Sequence, residues 1–429
     1  MFFLFALPNS AIAQVYQPID TTSSKSIKDF VSSFKSRHQK TLSDVKSQFS
    51  GEVKRKMESI YEEHYTSFVS EINKGELYFN DELNNYLEKI VKHITDSNPE
   101  LKEKNFRIYF SREGSANAFS VGEGTLVVHL ALLNTLKTEG ELAGVIAHEM
   151  AHYTLDHSWN SIKDYSEKIT SSDLKKQEKK ITQSRYNKQE SAEKLLKFVV
   201  YSRNSKSREF EFEADSKGYS YFKNTKYNQY DFVNALSRLN DADIEKDSLV
   251  NEDYVRFFTT KNQKFINEWT DIEDFSRYNY GKKHMMNWEI DSLKTHPNCD
   301  NRIEKIKLLN PNNQNSTFTV DASMERKLFE IAKLEEVFNL YYFKEYGNGL
   351  YEVLKMLKSD NKNMYLLKLM ALNLEELSKA KKSMKFNSYI PNVNPKTQSL
   401  SKQNYISFMN NISTKELERL AKDYNELTQ

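Results

Sequence analysis

Glycine and proline are scarce, with 11 and 7 residues in a chain of 429, where average usage would give about 30 and 20. Collagen-like repeats, Pro-rich linkers and a turn-dense β-sandwich are thereby excluded as the main architecture. The single cysteine, Cys299, rules out an internal disulfide framework and any metal site built from several thiolates. A metal therefore falls to histidines and carboxylates. No stretch after the N-terminus approaches the ~20 apolar residues that span a bilayer. Neither sign of charge is in excess, with 62 Lys+Arg against 60 Asp+Glu and a formal net charge of +2, so nothing global attracts nucleic acid or an anionic membrane.

What the chain does have is charge and aromatic mass: 28% of residues are charged, 38% hydrophobic and 13% aromatic. Large rings supply the buried area that the low apolar share would otherwise deny a core. The length accommodates two or three domains. An α+β fold, predominantly helical, is expected.

Residues 1–13 resemble a secretory signal peptide: an apolar run from Phe2 to Leu7 is followed by Ala11-Ile12-Ala13 before Gln14, although no Lys or Arg precedes Lys25. That places the mature protein outside the cytoplasm, in the periplasm or cell envelope, and in the cytoplasm should the segment not be a signal. Residues 14–75 read as an N-terminal helical extension, because Ile27, Phe30, Val31 and Phe34 recur at helical spacing in a Ser/Lys/Glu-rich background, predicting one or two long exposed helices. From Asp81 the pattern tightens. Leu83, Tyr86, Leu87, Ile90, Val91 and Ile94 mark one helical face at the start of a compact domain assigned to residues 76–311.

Phe106, Ile108 and Phe110 alternate with polar neighbours as in a half-buried strand, and Ala116–Ser120 and Thr125–Leu130 flank a Gly122/Gly124 turn. These three segments are expected to form a small antiparallel sheet. Thr138-x-x-Glu141 is a capping-box pattern opening a helix with Leu142, Val145, Ile146 and Met150. Residues 160–197 interleave basic with acidic side chains and few aromatics, which suits a solvated face rather than a nucleic-acid surface. Residues 320–429 read as a helical C-terminal domain, either a plain bundle or degenerate repeats, whose last helix is capped by Ser413-x-x-Glu416.

His148-Glu149-Met150-Ala151-His152 lies within the helix that Thr138 opens. Residues four apart share a helix face, so two imidazoles reach one ion while Glu149 approaches a water beside it. A third ligand from the same segment fails, since the metzincin arrangement requires Gly and His where Leu155 and Ser158 stand. A second helix offers Glu211 and Asp215 on one face, one to bind metal and the other to accept a ring N–H from a ligating histidine. Glu209 and Glu213 compete with Glu211, because helical phase alone separates them. His157 is read as a helix-end residue facing the C-terminal dipole; His38, His64, His93, His129 and His284 are read as structural. His296-Pro297 either belongs to the site or simply begins a helix.

Taken in order, Asn117-Ala118-Phe119, the Gly-containing turn, Glu141-Leu142-Ala143, His148-Glu149-x-x-His152, Glu211-x-x-Ala214-Asp215 and His296-Pro297 with Arg302 resemble the HtpX-like and CAAX-prenyl-protease-type zinc endopeptidases, metallopeptidase family forty-eight. The resemblance covers residues 76 to 310. It implies a zincin-like peptidase domain with one zinc ion on His148, His152 and Glu211, Glu149 as general base, Asp215 supporting a ligand, and His296 and Arg302 near the reacting carbonyl. The strand at Asn117, Ala118 and Phe119 is an edge on which an extended peptide pairs. Unlike the membrane-embedded members, the chain has a charged interval between His152 and Glu211, and it looks more like an exported soluble branch with an appended helical domain. Hydrolysis of unfolded or extended polypeptides, in cell-envelope quality control, is the expected activity. The alternative is a latent peptidase acting as a chaperone or scaffold through protein partners on its C-terminal helices.

Overall fold

The computed structural model describes residues 16–20, 23–183, 207–242, 245, 248–271, 299–309, 311–312, 316–395 and 397–428. They fall into two compact units, one from Asp20–Ile244 and Asn279–Glu336, the other from Met1–Ile19, Glu245–Tyr278 and Val337–Gln429.

The first unit begins with two long helices, α1 (Ser24–Gln48) and α2 (Gly51–Asn73), separated by a turn whose Gly51 takes φ 63°. Both helices of this N-terminal extension bury one face. Phe30 and Phe34 of α1 and Phe68 and Ile72 of α2 share one buried cluster with Leu77, Phe79 and Val127. Each such side chain contributes about 1.5–3 kcal/mol by leaving water, enough to hold helices that are otherwise strongly polar. Helix α3 (Asp81–Asp96) follows, capped by Asn80 and buried at Leu83, Tyr86, Leu87, Ile90, Val91 and Ile94.

Three strands, β1 (Arg107–Ser111), β2 (Ala118–Ser120) and β3 (Thr125–His129), form a sheet of order β1-β3-β2. The sheet is mixed, which corrects the wholly antiparallel expectation: β2 and β3 pair antiparallel around the glycine turn, but β1 and β3 run parallel. The reason is that β3, buried at every position, occupies the centre, so the hairpin docks on β1 through its second strand. Leu77 forms an isolated antiparallel bridge with Ser111, the last residue of β1, and β2 forms the opposite edge.

Helix α4 (Glu139–Thr154) is buried continuously from Glu139 to Ala151. Its start follows the local code. The Thr138 hydroxyl accepts the Glu141 N–H at 3.1 Å, and Glu141 accepts the Lys137 N–H at 2.6 Å. Helices α5 (His157–Thr170) and α6 (Ser172–Gln183) follow. A helix over residues 207–222, here α7, and α8 (Tyr230–Asn240) complete the surroundings of α4.

The second unit consists of helices Tyr346–Ser359, Met364–Lys382, Leu400–Asn411 and Thr414–Leu427, the last with the Ser413/Glu416 capping box. It also holds part of the segment assigned above to residues 76–311. Tyr254, Phe258 and Trp269 gather around Phe408, and Asp423 accepts bonds from Thr260 and Asn262. Aromatic packing, rather than sequence continuity, decides where this segment belongs.

Candidate metal centre

Helix α4 carries His148, Glu149 and His152 on a buried turn, and α7 brings carboxylates to them. The close approach depends on Gly218, where a Cβ would lie 2.8 Å from the His148 Cα and 3.0 Å from the Ala147 carbonyl oxygen. With no side chain there, α7 sits directly on the backbone of the ligand turn.

The donor atoms of His148, His152 and Glu211 all lie within 4.8 Å of one another. The two Nε2 atoms are 3.0 Å apart, and Glu211 reaches His148 Nε2 at 3.6 Å and His152 Nε2 at 3.4 Å. Two imidazoles and one carboxylate are the ligand chemistry of a catalytic zinc site with an open position. The electrostatics agree. Burial works against a charged ring, yet bonds to Asp215 and Glu211 outweigh it and raise His148 to about 10, so the cluster favours a positive charge at this point.

Asp215 Oδ1 lies 2.9 Å from His148 Nδ1, which directs the other ring nitrogen of His148 to the ligand cluster. Behind Asp215 stands Arg302, 4% exposed, donating from Nε and Nη2 at 2.6 and 2.7 Å to the two carboxylate oxygens. Its Nη1 also approaches Glu211 at 3.1 Å. Burial alone would raise the Asp215 carboxyl, but the Arg302 bonds and charge, with His148, hold it below its ordinary value. The planar fork of Arg302 is thus committed to the carboxylates behind the two histidines.

The competing ligands are resolved by orientation. Glu209 is exposed, and the Glu213 side chain, 56% exposed, contacts His157 instead. Glu149 is buried on the ligand turn. His296 and His284 lie outside the described residues. His38 stacks on Tyr65, His93 accepts the Lys226 N–H, and His129 lies 3.0 Å from Ser115 Oγ. Of the strand residues, Asn117 accepts the His129 N–H at 2.9 Å, Ala118 and Phe119 belong to edge strand β2, and Phe119 lines a groove of about 1110 Å³. His152, His157, Arg37 and Tyr65 line the same groove, so the edge strand and the ligand turn open onto one space.

His157 departs from its expected role. It opens α5 and is 3% exposed, with burial and the neighbouring His152 pushing its pKa down to about 4. A neutral ring gains nothing from a helix dipole. Sequence spacing missed it because the left-handed Asp156, φ 53°, turns the chain back beneath α4. A lone Asp between Leu155 and His157 does not announce that turn, although Asp and Asn are the side chains that tolerate it best.

A buried His-Glu-x-x-His helix completed by a carboxylate from a crossing helix defines a metallopeptidase. Residues 81–309, more than half of the chain, match Peptidase family M48, and the chain belongs to that family. Over 86 residues it is 30% identical to the putative beta-barrel assembly-enhancing protease of Vibrio cholerae serotype O1, covering 20% of this chain and 18% of that protein. The chain thus spans about a fifth of that relative's length. No helix among the described residues is long and apolar enough to cross a membrane.

Proposed function

We propose that the protein is a zinc-dependent endopeptidase hydrolysing unfolded or extended polypeptides, with one ion on His148, His152 and Glu211. The observation that carries this reading is the convergence of two Nε2 atoms and one carboxylate within 4.8 Å on a turn that also holds Glu149. Zinc at this position supplies Lewis acidity toward a water and the scissile carbonyl. Glu149 takes the proton from the attacking water and delivers it to the leaving amine. Asp215 and Arg302 keep His148 and Glu211 in register. His296 donates to the developing oxyanion, a contribution of about 3 kcal/mol for a well-placed donor.

The edge strand β2 beside Asn117, with Ala118 and Phe119, supports an extended substrate, since an added strand pairs its backbone there. Similarity to a protease named for enhancing β-barrel assembly, together with the signal-like residues 1–13, supports export and a quality-control role in the cell envelope. The C-terminal helices serve as the surface for a protein partner.

Glu149→Gln tests the reading because it keeps the fold and the ligands. Full-length protein is expected to hold one zinc ion per chain in both forms by metal analysis, while casein cleavage falls by about 10²-fold or more in the variant. Wild-type protein that holds no zinc and cleaves no unfolded chain, yet captures an envelope protein, would establish the scaffold reading instead.

A further inference from the structure

We propose that His157, backed by Glu213, is a positioning residue that fixes the tautomer and orientation of the ligand His152. The inference rests on the zinc reading above and adds a residue outside the His-Glu-x-x-His motif.

The geometry is a series of ring contacts. His157 Nδ1 lies 2.9 Å from His152 Nδ1, and His157 Nε2 lies 3.1 Å from Glu213 Oε2. The ring of His157 stacks on Phe210, with centroids 4.4 Å apart and planes inclined by 16°. Phe210 directly precedes Glu211, so the turn of α7 that supplies the third ligand also holds His157 in place.

Proton accounting then leaves one arrangement. His152 Nε2 faces His148 Nε2 and Glu211 Oε1, so a lone pair offered to a cation requires the proton of His152 to sit on Nδ1. That N–H points at His157 Nδ1, which must be bare to accept it. The proton of His157 is therefore on Nε2, where Glu213 accepts it. Reversing any one assignment opposes two N–H groups or two lone pairs.

The two histidine ligands are consequently supported by different means. His148 rests on a buried carboxylate held by Arg302. His152 rests on a neutral imidazole in series with a half-exposed carboxylate. Partners of this kind orient a ligating ring and sharpen its affinity, and losing one weakens metal binding by about 10- to 100-fold.

Two substitutions in the full chain separate positioning from packing. His157→Phe keeps a ring on Phe210 but offers no acceptor; His157→Gln offers an amide oxygen to His152 and an amide N–H to Glu213. Zinc affinity, measured by competition with a chromophoric chelator, is expected to fall about 10- to 100-fold in the phenylalanine variant and to recover in the glutamine variant. The visible absorption of the cobalt(II)-loaded protein should shift in the first and return in the second. A phenylalanine variant with wild-type zinc affinity, or equal losses in both variants, overturns the proposal. Should His157→Phe fail to fold, Glu213→Leu decides at an exposed position, where unchanged zinc affinity and an unchanged cobalt spectrum overturn it. Wild-type protein that binds no zinc defeats the functional reading itself, a result distinct from zinc-binding wild type with indifferent variants.

Discussion

Arg302 holds together two acidic groups that would otherwise repel each other out of reach of water. Its fork spans both oxygens of Asp215 and its remaining nitrogen approaches Glu211. Removing one partner of a buried ion pair leaves uncompensated charge and costs about 3–5 kcal/mol. Arg302→Gln should therefore lower the thermal stability of metal-free protein strongly and that of zinc-loaded protein less, because the ion itself neutralises Glu211. Equal losses with and without zinc, read by thermal unfolding, would refute that division of labour. Lysine should not substitute, since it lacks the planar fork. At this scale the sequence was legible wherever chemistry follows helical phase: His148, His152, Glu211 and Asp215 fall four apart in pairs, and each pair meets the other. It was not legible for Arg302 or His157, whose partners are set by a packed helix and by one left-handed residue.

Helix pairs fix the site through very short contacts. A Cβ at Gly218 would press on backbone atoms of α4, which cannot swing aside as a side chain would. Gly218→Ala is expected to cost about 1–3 kcal/mol by overpacking and to weaken zinc binding while helical content by circular dichroism is kept. Unchanged zinc affinity would show that this crossing does not set ligand geometry. Helix α8 places Asp231 beside the first turn of α4, where burial and then the Glu141 charge lift its pKa from 3.8 to about 6. The raised value means the folded state prefers the protonated acid. The resulting penalty is absent below pH 3.8, grows as the pH rises, and is complete above pH 6. Asp231→Asn should remove a decline in stability across that window, amounting to about 1–2 kcal/mol once partial exposure is discounted. Urea unfolding at both ends of the window checks it, and an unaltered pH slope would count against it. Local signals at this scale were readable: the Thr138 cap of α4, the Ser413/Glu416 capping box and all six buried positions of α3 follow from nearby residues. Parallel pairing of β1 with β3 was not, because alternation reports which face is buried and not which neighbour lies alongside.

For the whole molecule, composition foretold a helix-rich, charged protein with aromatic cores, and it is the rings that redraw the domain boundaries. Phe30, Phe34 and Phe68 bind the N-terminal helices into the first unit. Tyr254, Phe258 and Trp269 assign their segment to the second. Sequence order hides both results, since a continuous motif region suggests one body and a polar helix suggests solvent.

The segment around Tyr254 has a consequence for covalent connectivity. The chain passes between its two units at 19/20, 244/245, 278/279 and 336/337, so the units are stitched rather than strung. One scission cannot free either of them. A fragment cut at residues 81 and 309, the limits of the family match, would carry away the rings of Tyr254, Phe258 and Trp269 without Phe408, and would leave Asp423 behind without Thr260 and Asn262. The catalytic half of this protein is not a contiguous piece of its chain.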